Sequence, residues 1–208
     1  MNIFPYRVRF TKTGRMRFLS HHDLLRLFER ALRRSELPLR MSGGFNPRPL
    51  ISFPTALGLG IESADEIMEF ELSSWVSPKQ IQERLAAQMP EGVGIASVET
   101  FARKDRSCID FIEIEADAPG QTGGLDARIG EFLAKKELTI ERKSDKGSKP
   151  VEIRRYVLAL DHEGDRVFLH IRVTDQGTAK PEEVLRAIGI EIRPDVRIRK
   201  TYTELGTR

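Results

Sequence analysis

The chain has 208 residues, of which 39% are hydrophobic and 31% charged, a composition typical of one large or two small globular domains. No apolar run approaches the roughly 18 to 20 residues that span a bilayer, and the first residues lack the apolar core of a signal peptide. We therefore expect a cytoplasmic protein without a membrane partner. The single cysteine, Cys108, excludes a disulfide framework and any multi-cysteine metal or iron–sulfur site supplied by this chain alone, and no cofactor or metal is expected.

Basic side chains are concentrated in the first 60 residues. That segment has eleven Lys and Arg residues against three acidic ones, a net charge of +8, whereas residues 61–104 have a net charge of −4. Ten of the eleven cations are arginine, whose planar guanidinium binds phosphate bidentately and stacks on bases. The asymmetry indicates a nucleic-acid partner, although a need for solubility also explains part of it.

A strand and a helix are predicted first. Residues 6–10 alternate apolar and basic side chains, as a half-buried strand does. Ser20 is the predicted N-cap of the helix, with Asp23 three residues later. The apolar stripe of this helix consists of Leu24, Leu25, Phe28, Ala31 and Leu32. Residues 37–41 form at best a short second strand.

A long segment rich in glycine and proline follows at 42–65, and ordered loops of this length are often functional. Residues 67–72 are the next predicted strand. Ser77 and Pro78 begin a second helix that runs to about Met89, and a strand at 95–101 completes the order β-α-β-β-α-β, which is the ferredoxin-like pattern.

The sequence of the second half predicts helices and strands in a similar order. Its elements are a strand at 111–115, a helix at 125–135, a short strand at 138–140, a mobile basic loop at 143–150, hairpin strands at 151–160 and 166–173, a helix at 181–188 and a strand at 196–199. We therefore predict an α+β protein of tandem ferredoxin-like halves with antiparallel sheets, an N-terminal domain at 1–104 and a C-terminal one at 105–208. A single continuous α+β sheet is the alternative.

A series of motifs between residues 7 and 72 resembles one known family. The motifs are Arg9-Phe10, Gly14, Phe18-Leu19-Ser20-His21, Asp23-Leu24, Arg30-Ala31-Leu32-Arg33-Arg34, Leu37-Pro38, Gly44-Phe45-Asn46-Pro47, Pro49, Leu57, Gly60 and Ser63. On these residues the chain resembles the radical SAM-linked proteins, a bacterial domain of unknown function found beside, or fused to, a radical SAM protein. His22 departs from the pattern by replacing an apolar residue, and Arg48 stands where the family often has histidine. The resemblance implies a radical SAM protein as partner and an RNA or translation-related setting, but no established activity.

The predicted RNA-binding surface combines three groups of residues. A helix face of arginines can hold phosphates, the preceding strand and turn extend it with further arginines, and the glycine-rich loop can bring backbone, an aromatic ring and polar groups to a ligand. The residues are Arg7, Arg9, Arg15, Arg17, Arg26, Arg30, Arg33, Arg34, Gly43, Gly44, Phe45, Asn46 and Arg48. Alternatively, the arginines form a solvated helix face partly paired with Glu29 and Glu36, and the loop is a rigid turn in which Phe45 plugs the core.

His21 is the candidate catalytic residue. Ser20, His21, His22 and Asp23 form the only cluster of acid–base groups, and a helix N-terminus disfavours the cationic form of a histidine, which suits a general base. Alternatively, Ser20 and Asp23 only cap the helix. Adjacent histidines of a helix point about 100° apart and are poorly placed to chelate one metal ion together.

Three functions remain open from the sequence. The first is an RNA-binding accessory protein that acts with a radical SAM protein in RNA modification or ribosome-related processing. The second is an adaptor that binds the radical SAM enzyme without RNA contact, and the third is a metal-independent endoribonuclease. The sequence does not determine which RNA is bound, the role of the C-terminal half or the oligomeric state.

Overall fold

The computed structural model describes residues 3–105, 107–144 and 147–206. In these ranges the fold is mixed α+β, with four α-helices and mostly antiparallel strand pairs. The chain divides into two compact units. The first contains the described residues up to Cys108 together with Leu205 and Gly206, and the second is Ile109–Glu204. No helix in the described ranges is long and apolar enough to cross a membrane.

The elements of the first unit follow the order β-α-β-β-α-β, with a second strand that differs from the predicted one. Its elements are β1 (Phe4–Lys12), α1 (His21–Arg34), β2 (Ile51–Ser52), β3 (Glu62–Leu72), α2 (Pro78–Ala86) and β4 (Val93–Thr100), with short 3-10 helices at Gly14–Phe18 and Arg103–Asp105. Strand β1 lies between β3 and β4, and β2 pairs with the far side of β3, all antiparallel.

The predicted strand at 37–41 is wrong. Leu39 and Met41 form only isolated bridges, with Leu72 and Pro49, and the second strand is Ile51–Ser52, inside the segment predicted to be loop.

Helix α1 forms where its cap and apolar stripe predict it. The Asp23 backbone N–H donates to the Ser20 side-chain oxygen at 3.2 Å, which satisfies one of the free donors at the helix start. Leu24, Phe28 and the later members of the stripe are buried against β1 and β3, and the Phe28 ring meets Phe10 edge-on at 4.8 Å. Each fully buried side chain of this size contributes about 1.5 to 3 kcal/mol. The opposite face of α1 is therefore free for solvent or a ligand.

The second unit is built around strand β9. Its elements are β5 (Cys108–Asp117), α3 (Leu125–Ala134), β6 (Thr139–Ser144), β7 (Gly147–Glu152), β8 (Val157–Glu163), β9 (Arg166–Thr174), β10 (Gly177–Thr178), α4 (Pro181–Ala187) and β11 (Arg197–Gly206). Strand β9 pairs antiparallel with β5, β8 and β10, and β11 lies next to β5.

The basic segment at 143–150, predicted to be a mobile loop, is largely strand in the structure. Strands β6 and β7 pair in a separate two-stranded sheet, and residues 145–146 lie outside the described part of the chain. Residues 139–144 pair one by one with residues 147–152, a pairing that the local composition alone did not reveal.

A bidentate ion pair joins β6 to α4 in the second unit. Arg142 donates through Nε and Nη2 to the two carboxylate oxygens of Glu183, each at 2.6 Å, and the Lys180 backbone N–H donates to Glu183 Oε2 at 2.9 Å. Burial alone would raise the pKa of Glu183, but the hydrogen bonds from Arg142 and Lys180 and the Arg142 charge outweigh it and lower the pKa. The hydrogen bond to Glu183 raises the pKa of Arg142.

Candidate nucleic-acid interface

Arg7 is a structural residue of the sheet. Its strand neighbour across β1 and β3 is Glu69, and its guanidinium donates to Glu69 Oε1 at 3.1 and 3.2 Å and to Glu99 Oε1 at 3.1 Å. The Arg7 and Glu69 side chains are only 10% and 6% exposed. Ser107 adds two further hydrogen bonds to Glu69, from its backbone N–H and its hydroxyl. The predicted RNA contact of Arg7 is therefore left out of the interface proposed below.

Three more arginines of the first 60 residues also pair with carboxylates of β3. Arg9 contacts Asp65 at 2.5 Å, Arg17 contacts Glu62 at 3.3 Å, and Arg40 donates to the buried carboxylate of Glu71. The excess charge of the N-terminal segment is thus partly neutralised inside the first unit. The acidic residues of β3 were missed by the sequence analysis. Glu69 and Glu71 alternate with apolar residues, as the residues of the Arg7-Val8-Arg9 strand do, and this shared alternation was a readable signal.

The outer face of α1 keeps its positive charge. We use this name for Arg26, Arg30, Arg33 and Arg34, which are all exposed. Arg26 lies 3.6 Å from Asp23, with both side chains more than half exposed, so the pair is weak. Arg30 has no hydrogen-bond or ion-pair partner within the described part of the chain. Among the described residues, Arg34 donates only to neutral groups, the Gln88 side-chain and backbone oxygens, at 3.0 and 3.2 Å.

An open groove of about 680 Å³ runs along this face, between α1 and the connection from α2 to β4. Its lining combines arginine side chains with apolar ones. The lining residues are Leu19, Asp23, Arg26, Leu27, Arg30, Arg34, Ala87, Gln88, Met89 and Pro90. No local pattern in the sequence indicated that residues 87–90 would face α1, because the fold brings them together across more than 50 residues.

The glycine-rich loop is held beside the outer face of α1. Arg33 donates to the Pro47 carbonyl at 3.2 Å, and Ser42 and Arg48 close the loop through two hydrogen bonds of 2.7 and 3.0 Å. Gly44 has a φ of 97°, a conformation that favours glycine. Phe45 is fully exposed, so the interpretation that it plugs the core is wrong.

The remaining predicted loop residues are also exposed. Gly43, Asn46 and Arg48 all face solvent, and Arg48 approaches Glu29 only at 4.0 Å. A Cβ atom added at Gly43 or Gly44 would meet no atom within 4 Å, so neither glycine is required by packing within the first unit. Arg15 is exposed in the 3-10 helix before α1.

His21, the candidate catalytic residue, is exposed at the start of α1. Its ring packs edge-on against Phe53 at 5.5 Å and lies 6.0 Å from the ring of His22. The adjacent carboxylate, Asp23, accepts a hydrogen bond from the Ser20 hydroxyl at 2.7 Å. Within the described ranges, no group of three His, Cys, Asp or Glu side chains is arranged to hold a metal ion. The catalytic role of His21 stays a prediction.

The family of the chain follows from its similarity to a known family model. A family model described as "Uncharacterized protein conserved in bacteria (DUF2344)" matches residues 5–186. The chain belongs to this family. The DUF2344 match covers both the outer face of α1 and the loop at 42–49, and its description names no activity, ligand or partner.

Other comparisons with this DUF2344 protein add little. No curated protein matches it. One solved structure, "Crystal Structure of an Unknown Protein from Galdieria sulphuraria", is 17% identical over 99% of this chain and 100% of that chain, with a TM-score of 0.30. A TM-score this low carries no inference about fold or function.

Proposed function

We propose that this protein is an RNA-binding accessory protein whose interface is the outer face of α1 together with the loop at 42–49. The resemblance of residues 7–72 to radical SAM-linked proteins extends the proposal: the RNA would be bound for, or next to, a radical SAM protein that carries out the chemistry. The protein itself supplies positioning, not catalysis, in this proposal.

One observation supports the proposal above the others. The structure separates the arginines of the first 60 residues into a set neutralised by β3 carboxylates and a set on α1 that faces solvent with few acidic neighbours. A folded protein gains little stability from four clustered exposed arginines, because like charges repel. Several clustered cations bind a phosphate backbone favourably, because their binding releases its counterions.

The test is RNA binding at several salt concentrations by the purified protein and by a variant with Arg26, Arg30 and Arg34 all changed to Ala. Each phosphate contact contributes a slope of about 0.7 to the dependence of log K on log salt for a single strand, so three lost contacts lower the slope by about 2 and weaken binding about 100-fold at roughly 0.1 M salt.

A matched control removes the same charge elsewhere. Arg186, Arg197 and Arg199 are exposed in the second unit, and changing all three to Ala leaves the proposed interface intact. We expect this variant to retain wild-type affinity. Equal losses in the two triple variants would show that net charge alone drives binding, and no binding by the wild type would refute the proposal.

A second candidate, an adaptor for the radical SAM enzyme without RNA contact, is favoured by a different observation. Phe18 and Leu59 are 58% and 65% exposed, and the Gly60 backbone N–H donates to the Arg17 carbonyl at 2.9 Å, which brings their two segments together. Exposed apolar side chains that are close together are typical of protein-binding surfaces. Changing Phe18 and Leu59 to Ser would abolish co-purification of the enzyme while RNA binding persists, if this surface is the adaptor site.

The finer description of the fold is also a proposal. The order β-α-β-β-α-β and the arrangement of β1 between β3 and β4, with β2 beyond β3, support a ferredoxin-like first unit. The second unit has additional strands, β6, β7, β8 and β10, so a ferredoxin-like second half would carry insertions. An experimental structure of either unit that showed a different strand order would exclude the tandem arrangement.

A further inference from the structure

The proposed RNA-binding face has a shape that selects among RNA structures. We propose that the RNA bound there is single-stranded, with successive phosphates along Arg26, Arg30 and Arg34 and one unpaired base on the ring of Phe45. This inference rests on the proposed function and adds the class of RNA to it.

The spacing of the three arginines along α1 supports an extended strand. They stand four residues apart, and with a rise of about 1.5 Å per residue each lies about 6 Å further along the helix axis than the one before. A single strand that lies along α1 can place one phosphate opposite each arginine, because extended nucleotides repeat over a similar distance. The row of arginines turns about 40° around the helix axis at each step, a gentle path that a flexible single strand can follow. The phosphates of a rigid duplex keep their own fixed path and leave this row after one or two contacts.

The apolar lining of the groove supports unpaired bases. Leu27, Met89 and Pro90 line the same groove as the three arginines and offer apolar surface there. The faces of bases are apolar and become available only when the bases are neither paired nor stacked in a duplex. A double helix would present its sugar–phosphate surface to this apolar lining and bury little of it.

Phe45 provides a site for one base beside the groove. Its ring is fully exposed, and the loop that carries it is fastened to the C-terminal half of α1 by the Arg33–Pro47 hydrogen bond. Phenylalanine has no polar group that would favour solvent, and a base stacked on its ring removes that apolar surface from water. Since Arg33 belongs to the outer face of α1, the proposal places Phe45 within reach of a strand that contacts the other arginines of that face.

The experiment compares a fluorescently labelled single-stranded RNA of about 12 nucleotides with a hairpin that pairs the same sequence, by anisotropy titration. The proteins are the wild type, Phe45→Ala, Phe45→Trp and the matched control Trp75→Ala, which removes an exposed aromatic ring from the loop before α2. We expect the single strand to bind at least tenfold more tightly than the hairpin. Phe45→Ala should weaken single-strand binding about tenfold without changing the salt slope, while Phe45→Trp and Trp75→Ala keep wild-type affinity.

The outcomes separate this inference from the proposed function. Equal affinity for the hairpin, or an effect of Phe45→Ala no larger than that of Trp75→Ala, would overturn the single-strand inference. If the arginine variant still loses binding in that case, the proposed RNA interface stands. If no RNA binds to the wild-type protein, both proposals fall together.

Discussion

Removal of the carboxylate of Glu69 tests whether the arginines of β1 are structural or belong to the interface. In Glu69→Leu, Arg7 loses both of its hydrogen bonds to Glu69, and Ser107 loses its two. Arg7 keeps the ion pair at 3.1 Å with Glu99, whose side chain is 56% exposed, and its hydrogen bonds to the Ser107 hydroxyl at 2.7 Å and the Asp105 carbonyl at 2.9 Å. Removing one partner of a buried ion pair costs about 3 to 5 kcal/mol when the remaining charge is left without compensation. We expect about 2 to 3 kcal/mol here, because Glu99 still pairs with the guanidinium of Arg7. For a chain of this length that loss lowers the Tm by about 4 to 12 °C.

The double variant Arg7→Met/Glu69→Leu distinguishes a charge effect from a packing effect. Replacing both partners with apolar side chains of similar volume is often close to neutral, so the double variant should regain most of the lost stability. Urea denaturation of the wild type, both single variants and the double variant gives the coupling energy. The exposed pair of Asp23 and Arg26 is the control, since its removal should cost less than about 1 kcal/mol.

The reasoning would be refuted if Glu69→Leu cost less than about 1 kcal/mol, or if the double variant were no more stable than Glu69→Leu. Either result would mean that Arg7 is not held by this pair in solution. Arg7 would then return to the set of residues available to RNA. A large coupling energy would instead mean that any loss of RNA binding in Arg7 variants results from unfolding of the protein.

Other variants test the fold at separate places. Glu183→Gln should cost about 1.5 to 3 kcal/mol of stability at neutral pH. The folded-state pKa of Glu183 is lowered, so its carboxylate stabilises the fold above the ordinary value of about 4.3, and this contribution is lost as the pH falls. In acid titrations followed by circular dichroism, the variant should therefore show a flatter loss of stability than the wild type. Gly92→Ala should cost about 2 to 4 kcal/mol, since a Cβ there would lie 2.7 Å from a backbone oxygen at a φ of 88°. Gly120→Ala should cost only about 1 to 2 kcal/mol, because its φ is 68° and the space around it is open. Equal costs for the two variants would contradict the contact at Gly92. Phe28→Ala should cost about 3 to 5 kcal/mol by urea denaturation, and a cost near zero would argue against the core position of α1.

Local patterns predicted the helices of the first unit well. Ser20 and Ser77 both cap helices in the structure, and each accepts a hydrogen bond from the backbone N–H three residues later. The stripe that begins at Leu24 is buried as predicted, apart from Leu25, which is half-buried. These features are determined over one or two turns of chain, where side-chain chemistry and helical periodicity act without help from distant residues.

The short strands were predicted less reliably. Ile51–Ser52 lies in a segment whose prolines and glycines indicated only loop, and β7 lies where a basic loop was expected. A strand of a few residues is stabilised by its neighbours in the sheet, so its own composition says little about whether it forms.

For the candidate interface, the sequence by itself determined which arginines share a face of α1, because spacings of three and four residues return to the same side of any helix. It did not determine which arginines pair with carboxylates and which keep an exposed charge. The register that places Arg7 opposite Glu69 and the fold that brings the neutral Gln88 next to Arg34 determine this. Ion pairs depend on distances of a few ångströms between residues that are more than 50 positions apart in the chain, and only the tertiary structure sets those distances.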